Sequence, residues 1–279
     1  MLSLLAAAGE PLHWVDFGLT RGIDLGFFML RWYSLAYLAG IIFAYWHTQR
    51  QIRTSGAPLA QRHSDDLFFY CTLGVILGGR LGYAIFYDPG LWAEPLELLK
   101  LWNGGMSFHG GLVGVTLALA WVAWRGGLNF LRVCDYVAVS VPMGMLLGRL
   151  ANFVNGELWG RVAGEGVRWA MVFPDGGLLA RHPSQLYQAG LEGALLLAVM
   201  LLLFWKTSAR FRPGLLVGTF AAGIGLARFV AEFYREPDAQ LAEFAASSGL
   251  SMGQWLTLPL IAVGLFFAVR ALRKPALAA

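Results

Sequence analysis

Seven stretches of 17 to 22 mainly apolar residues run along the 279-residue chain. A helix that crosses a lipid bilayer needs about 20 such residues, so these stretches have the length of membrane spans. The predicted spans are 27–47, 66–87, 108–124, 133–154, 184–205, 214–232 and 254–272. We therefore expect an all-α, polytopic integral membrane protein with seven transmembrane helices in a single membrane-embedded domain, residues 1–279.

The composition excludes the main alternatives to a membrane protein. Only 14% of the residues are charged and 57% are hydrophobic, whereas soluble domains carry about 25% charged residues. A soluble globular enzyme and a disordered chain do not fit these values. The basic residues are dispersed, which argues against binding to nucleic acid. Cys71 and Cys134 both fall in apolar stretches and predict neither a disulfide framework nor a metal site.

Lysine and arginine are unevenly divided between the loops on the two sides of the predicted spans. One set of loops holds eleven of them and the opposite set holds six. Because cytoplasmic loops carry the excess, we predict a multi-pass protein with an extracytoplasmic N-terminus and a cytoplasmic C-terminus. The long polar segment 155–183 is then an extracytoplasmic excursion between the fourth and fifth spans, and residues 168–173 within it favour short strands.

Four arginines lie inside the predicted spans, where a charged side chain is costly. An arginine at the centre of a spanning helix costs about 2.5–3.5 kcal/mol on insertion scales, and such residues are usually paired or functional. The four are Arg31, Arg80, Arg149 and Arg228. Guanidinium groups match phosphate oxygens bidentately. Together they predict an anion site, and the obvious anion within a bilayer is a phospholipid head group.

Three of these arginines also have a purely structural interpretation. Arg31 adjoins Trp32 and can extend to the membrane surface. Arg80 can serve as an ion-pair partner. Arg228 precedes Glu232 by four residues, so the two share a helix face and can form a salt bridge that fixes packing.

The structural interpretation is weakest for Arg149, because a short stretch concentrates polar side chains around it. Arg149 and Asn152 share a helix face, while Asn155 and Glu157 fall near the outer end of the same helix. So many polar groups within nine residues of a membrane helix favour a ligand site over packing.

A second polar cluster, WNGGMSFHGGL at 102–112, lies at the start of the third predicted span. Its glycines allow backbone amides to approach a ligand closely, and His109 can act as a general base near neutral pH. The alternative is a histidine at the helix start that bonds to a backbone carbonyl. The cluster is not a nucleotide-binding loop, because it lacks the preceding strand and the following Lys-Ser/Thr pair.

These polar strings also resemble those of one family of bacterial membrane enzymes, the prolipoprotein diacylglyceryl transferases. They occur in the family's order, extend over most of the chain, and include one long and highly specific string at 148–161. The matching strings are GGRLGY at 78–83, WNGGMSFHGGL at 102–112, GRLANFVNGELWGR at 148–161, RHPSQLY at 181–187, EFYREPDAQ at 232–240 and SMGQWL at 251–256.

The resemblance implies a reaction, its substrates and a compartment. The family moves the diacylglyceryl group of phosphatidylglycerol to the lipobox cysteine thiol of a prolipoprotein, forming a thioether and releasing glycerol phosphate. This transfer is the first step of bacterial lipoprotein maturation, in the cytoplasmic (inner) membrane. No cofactor is implied, and no cluster of Asp, Glu and His in the sequence has metal-ligand spacing.

The resemblance also implies roles for individual residues. It matches Arg149 and Asn152 to the family's essential polar residues and His109 to its essential histidine. The further matches are Gly104 near His109, Glu157 and Gly160 after Asn152, the charged pair Arg228 and Glu232, and the aromatic hydroxyl of Tyr33.

The reaction makes two demands, since a thiol must lose its proton and the charge of a departing phosphate must be held. We expect Arg149 and Arg228 to hold the phosphate, with Asn152 and Asn155 as neutral donors and Arg80 as a supporting residue. The general base is expected to be His109, with Glu157 as the competing candidate.

This chain departs from some relatives at two positions. Some carry a tyrosine four residues before the late arginine, where this chain has Ile224, and some carry a glutamate after RHPSQLY, where this chain has Gln188. We therefore expect no catalytic role at these two positions. Two other classes of function remain open: an anion or proton-coupled transporter, although no internal repeat is visible, and a membrane subunit that only binds lipid.

Overall fold

The computed structural model is mostly helical. Helix accounts for 66% of the residues that the structure describes, which confirms the class expected from the apolar stretches. The chain forms two compact units, of which the first contains Met1–Ala44 and Ala138–Leu277 and the second Tyr45–Val137 and Ala278–Ala279. The structure describes residues 11–27, 29–101, 104–164, 166–236 and 248–278.

The helices follow the predicted apolar stretches along the chain. In the described residues they are α1 (Trp32–Gln51), α2 (Gln61–Phe86), α3 (Pro95–Leu98), α4 (Phe108–Arg125), α5 (Phe130–Ala138), α6 (Val141–Asn155), α7 (Ser184–Gln188), α8 (Leu196–Lys206), α9 (Leu215–Ala231) and α10 (Met252–Leu272). A π-helical turn, Ala189–Leu195, joins α7 to α8. The strands are β1 (Leu12–His13), β2 (Gly22–Asp24), β3 (Met29–Arg31) and β4 (Met171–Val172).

Four helical segments of the described chain are long and apolar enough to cross a membrane. They lie within or over the second, fourth, fifth and seventh predicted spans: Gln61–Phe86, Phe130–Asn155, Ser184–Lys206 and Met252–Leu272. Helices α1, α4 and α9 cover the other three predicted spans, and α9 is an apolar helix of 17 residues. The chain is therefore a helical membrane protein.

Glycines allow close helix packing in the first unit. Gly218 and Gly264 lie where α9 packs on α10, and a Cβ atom added to Gly264 would be 2.3 Å from the Ala222 backbone nitrogen. Likewise, a Cβ on Gly193 in the π-helical turn would be 2.6 Å from Leu146 Cα on α6. Small residues let membrane helices approach closely. These contacts bring together the helices that carry the charged cluster described below.

A small layer of strands and turns packs against the end of α6 in the same unit. β1 pairs in parallel with β4, which confirms a short strand within 168–173. Trp14, Met171 and Phe173 form a buried core, and Trp14 Nε1 donates a hydrogen bond to the Phe153 carbonyl at 2.8 Å.

In the second unit, α2 and α4 pack through facing glycines. A Cβ atom on Gly110 would lie 2.2 Å from the Gly78 carbonyl oxygen, and one on Gly114 would lie 2.0 Å from that of Gly74. No larger residue fits at this contact, so the first turn of α4 is fixed against α2. The two cysteines are free, with Cys134 buried.

Candidate active site

Three charged side chains, those of Arg149, Glu192 and Arg228, form a charged cluster inside the first unit. Glu192 is completely buried, and its Oε2 atom accepts hydrogen bonds from Nε and Nη2 of Arg149, each at 3.2 Å. Its Oε1 atom lies 3.9 Å from Nη1 of Arg228. The two arginine side chains retain 19% and 28% exposure. Two guanidinium groups thus converge on one carboxylate and keep surface with which to contact a ligand.

Glu192 is a site residue that was not predicted from the sequence, although it lies within an apolar span. An acidic side chain in an apolar span is as unusual as a basic one, so the position of Glu192 within 184–205 was a usable signal. The residue lies in the π-helical turn, a feature frequently found at functional sites. Gln188, the position at which some relatives carry glutamate, is also buried. In this chain the buried carboxylate belongs to Glu192, one helical turn later.

Glu232 forms a second carboxylate next to the cluster. Its Oε1 atom lies 3.1 Å from Arg228 Nη2, as the four-residue spacing predicted, and accepts a hydrogen bond from Arg235 Nη1 at 3.2 Å. Glu232 is 4% exposed. Arg228 is therefore placed between two buried carboxylates, Glu192 and Glu232, which neutralise it and restrict its orientation.

The asparagines after Arg149 converge on Glu157. Nδ2 of Asn152 donates to Oε1 of Glu157 at 2.9 Å, and Nδ2 of Asn155 donates to the same oxygen at 3.1 Å. Helix α6 ends at Asn155 because Gly156 adopts φ +70°, a left-handed conformation that suits glycine. The turn carries Glu157 back toward Asn152, and Glu157 is an exposed residue.

Gly160 lies where three stretches of backbone meet. Its N–H donates to the His182 carbonyl at 2.8 Å, and its own carbonyl accepts from Arg181 Nη1 at 3.2 Å. Arg181 also pairs with Glu236 at 2.9 Å and lies over the Trp159 ring. These contacts hold the segment after Glu157 in a fixed path.

Gly160→Ala should destabilise the protein. The added Cβ would lie 2.3 Å from the Tyr234 carbonyl oxygen and 2.7 Å from that of His182, closer than atoms can approach. Backbone shifts of this kind cost about 1–3 kcal/mol, which thermal unfolding in detergent will measure. Gly164→Ala is the control, since nothing lies within 4 Å of its added Cβ. Equal unfolding temperatures for the two variants would contradict the packing described here.

Tyr33 lies near the start of α1, and its hydroxyl is 3.4 Å from that of Tyr37. Its side chain is partly exposed and interacts electrostatically with Glu157 and Arg149. The first unit thus brings Tyr33 into the neighbourhood of the predicted phosphate-binding residues.

In the second unit, Arg80 binds backbone rather than an acidic side chain. It is 6% exposed. Nε donates to the Leu98 carbonyl at 3.0 Å, Nη2 to that of Glu97 at 2.6 Å, and Nη1 to those of Gly104 and Gly105. Arg80 therefore fastens the loop that precedes α4 to α2.

His109 is the second residue of α4, and it follows this loop directly. The Ser107 side chain caps the helix by accepting the Gly110 N–H at 3.2 Å, and the Ser107 N–H donates to the Gly79 carbonyl at 2.8 Å. His109 and Gly104 are both exposed. The imidazole is therefore accessible on a helix start that Arg80 and Ser107 hold in place.

Arg80→Lys should loosen the loop although it keeps the charge. A lysine ammonium has three donors on a flexible stem and cannot reproduce the planar fork that reaches four carbonyls. We expect faster amide hydrogen exchange over residues 97–101 and 104–107 than in the wild type. Arg125→Lys, an exposed change on α4, should leave that exchange unchanged. If the loop amides of Arg80→Lys exchange as slowly as those of the wild type, the guanidinium is not needed to fix the loop on α2.

His182 lies in a hydrogen-bonded chain of aromatic side chains. Trp169 Nε1 donates to the Tyr187 hydroxyl oxygen at 2.6 Å, and the Tyr187 hydroxyl lies 3.1 Å from His182 Nδ1. Since the tyrosine oxygen already accepts, its hydrogen is available to Nδ1, which favours a neutral imidazole. Burial also lowers the pKa of His182 below its ordinary 6.5.

The protein should lose stability as the pH falls. The unfolded chain binds a proton at His182 more readily than the folded one, so the stabilisation is present above pH 6.5 and is lost as the pH drops through the lowered pKa. We expect the unfolding temperature of the wild type to fall over this range more than that of His182→Gln. Parallel pH curves for the two proteins would rule out His182 as the titrating group.

These features define a class of protein: a helical membrane protein that holds paired arginines and carboxylates within its apolar helices. Among the described residues, no group of three or more His, Cys, Asp and Glu could hold a metal ion. The family model for prolipoprotein diacylglyceryl transferase matches residues 22–270. The chain belongs to this family of membrane transferases.

Individual relatives agree with the family match over nearly their whole length. A protein of Erythrobacter litoralis is 63% identical, with 96% of this chain and 95% of the relative covered. A Zymomonas mobilis protein is 48% identical (94% and 88% covered), and one from Rhodospirillum rubrum is 49% identical (92% and 93%). All three are named phosphatidylglycerol–prolipoprotein diacylglyceryl transferase.

Proposed function

We propose that the protein transfers the diacylglyceryl group of phosphatidylglycerol to the lipobox cysteine of a prolipoprotein, as the first step of lipoprotein maturation. The observation that carries the proposal is the convergence of Arg149 and Arg228 on the buried Glu192. Two partly exposed guanidinium groups in a membrane protein can bind a lipid phosphate bidentately. The names of the relatives identify phosphatidylglycerol and prolipoproteins as the substrates of those proteins.

The chemistry is an alkylation of sulfur. The thiol gives its proton to a general base. The thiolate then attacks the carbon of the diacylglyceryl group that is bonded to the phosphate oxygen. A carbon–sulfur bond forms while the carbon–oxygen bond to phosphate breaks, and the electron pair leaves with glycerol phosphate. Arg149 and Arg228 hold this developing charge, and Asn152 adds a neutral donor. In a dry site, such preorganised contacts are worth more than in water.

Each predicted site residue has a role in this scheme. His109 is the general base, because it is exposed at the start of α4, and Glu157 is the competing candidate, because it is exposed beside Asn152 and Asn155. The remaining residues keep the roles that the resemblance and the spans favour: Tyr33, Gly104 and Gly160 bind phosphatidylglycerol, and Glu232, Asn155 and Arg80 are supporting residues.

The arrangement in the membrane completes the proposal. Seven helices span the bacterial inner membrane, with the N-terminus outside and the C-terminus in the cytoplasm, as the distribution of lysine and arginine favours. The whole chain acts as one membrane-embedded catalytic domain. Segment 155–183 is its extracytoplasmic excursion, on the side where a translocated lipobox arrives.

A single assay tests the function. Purified protein is incubated with phosphatidylglycerol and a lipobox peptide, and the peptide is analysed by mass spectrometry. We expect a mass gain of one diacylglyceryl group, which is absent when serine replaces the lipobox cysteine. No gain on the cysteine peptide would refute the proposal. Anion flux across protein-containing vesicles in that case would favour a transporter, and retention of lipid without either activity would favour a lipid-binding subunit.

A further inference from the structure

The start of α10 is a buried hydrogen-bonded cap formed by the string SMGQ at 251–254. The Ser251 hydroxyl oxygen accepts the Gln254 N–H at 3.1 Å, and Gln254 Oε1 accepts the Ser251 N–H at 2.9 Å. Gln254 Nε2 also donates to the Phe229 carbonyl on α9 at 3.3 Å. The two helices are thus joined at the level of the charged cluster. The exposures of Ser251 and Gln254 are only 6% and 4%.

The same serine also contacts Glu232, the carboxylate next to the charged cluster. Its hydroxyl donates to Glu232 Oε2 at 3.1 Å. A hydroxyl has one hydrogen, and because the Ser251 oxygen already accepts from Gln254, that hydrogen is available to Glu232. The other carboxylate oxygen, Oε1, binds Arg228 and Arg235. Ser251 therefore holds one side of the carboxylate while the arginines hold the other.

Gly253 leaves the space in which this carboxylate lies. A Cβ atom added to Gly253 would be 2.7 Å from Glu232 Cδ and 2.9 Å from each carboxylate oxygen. The carboxylate thus packs on the first turn of α10, where the positive end of the helix dipole favours a negative charge. Any side chain at 253 would displace it.

We propose that Ser251 and Gly253 are positioning residues that fix Glu232, and through it the Arg228 guanidinium, in the orientation that binds the lipid phosphate. The inference rests on the proposed function, because it takes Arg228 as a phosphate ligand. Neither residue touches the substrate. A helix cap alone would require only the bonds to Gln254, whereas positioning also requires the bond to Glu232.

Glycine and threonine at position 251 separate these two roles. Glycine is nearly as good as serine at a helix N-cap but has no hydroxyl to donate to Glu232, whereas threonine keeps the hydroxyl. Bonds to charged groups are the strong ones, so Ser251→Gly should lower kcat/KM for phosphatidylglycerol about 10- to 100-fold. Ser251→Thr should retain activity within about twofold. Gly253→Ala should reduce activity like Ser251→Gly.

Thr257→Val is the matched control. Thr257 lies on the same helix, is also 6% exposed, and donates its hydroxyl to the Gln254 carbonyl within the helix. Its loss should leave transfer unchanged. Glu232→Gln combined with Ser251→Gly supplies the decisive comparison. Residues that act through one another show non-additive effects, so the double variant should be no slower than Glu232→Gln.

Two results would overturn the inference. The first is wild-type transfer activity in Ser251→Gly. The second is a double variant that unfolds at the wild-type temperature but whose loss of activity is the sum of the losses in the two single variants. Binding of phosphatidylglycerol to each variant is measured in parallel. If the wild type transfers nothing, the proposed function fails. In that case the test is phosphatidylglycerol binding alone, and the inference requires that Ser251→Gly bind this lipid more weakly than Ser251→Thr.

Discussion

Arg149→Lys is expected to lower diacylglyceryl transfer by about 100- to 1,000-fold, the usual effect of removing one preorganised contact from a dry site. The Arg149 guanidinium uses Nε and Nη2 for Glu192, and its remaining N–H groups can bind the substrate. Lysine keeps the positive charge beside the buried carboxylate, so no uncompensated charge is left inside the protein. It lacks the planar fork, and it cannot bind Glu192 in this way and a phosphate at the same time.

The measurement is transfer to the lipobox peptide by a variant whose unfolding temperature matches the wild type. Arg21→Lys is the control, because Arg21 also pairs with a carboxylate in the first unit, that of Asp175, but both side chains are largely exposed. Exposed pairs contribute about 0–1 kcal/mol, so this variant should transfer at the wild-type rate. Near-normal turnover in Arg149→Lys would show that charge alone is sufficient and would remove the bidentate clamp from the mechanism.

The arginines in the spans could be found from the sequence because their cost is independent of the fold. Any charge in an apolar span is costly, so Arg149 and Arg228 stand out in the sequence without knowledge of their partner. Glu192 is itself a charged residue in an apolar span, so its unusual position is visible in the sequence. Its pairing with Arg149 and Arg228 is not visible, because Glu192 lies in a π-helical turn and the pattern of a regular helix does not indicate where such a turn occurs.

Arg80 shows a second limit of sequence reasoning. The sequence predicts that a buried guanidinium has a partner, but the partners of Arg80 are the carbonyls of Glu97, Leu98, Gly104 and Gly105. Every residue carries a carbonyl, so no residue type marks these positions. The sequence does not distinguish an arginine that binds the backbone of a loop from an arginine that binds a phosphate. The contacts assign Arg80 to the first role.

His109→Gln is expected to reduce transfer by about 100- to 10,000-fold, the contribution of general acid–base catalysis. Glutamine preserves a polar side chain at the start of α4, so the cap by Ser107 and the loop held by Arg80 should persist. It cannot take up the thiol proton near neutral pH. The pH dependence of the residual rate should therefore follow the thiol of the peptide alone.

Comparison with Glu157→Gln decides which group is the base. Glu157 accepts bonds from Asn152 and Asn155, so its loss should weaken substrate positioning and leave the shape of the pH profile unchanged. His13→Gln, a change at an exposed histidine, should alter neither rate nor profile. If Glu157→Gln changes the profile while His109→Gln does not, the proton passes to the carboxylate.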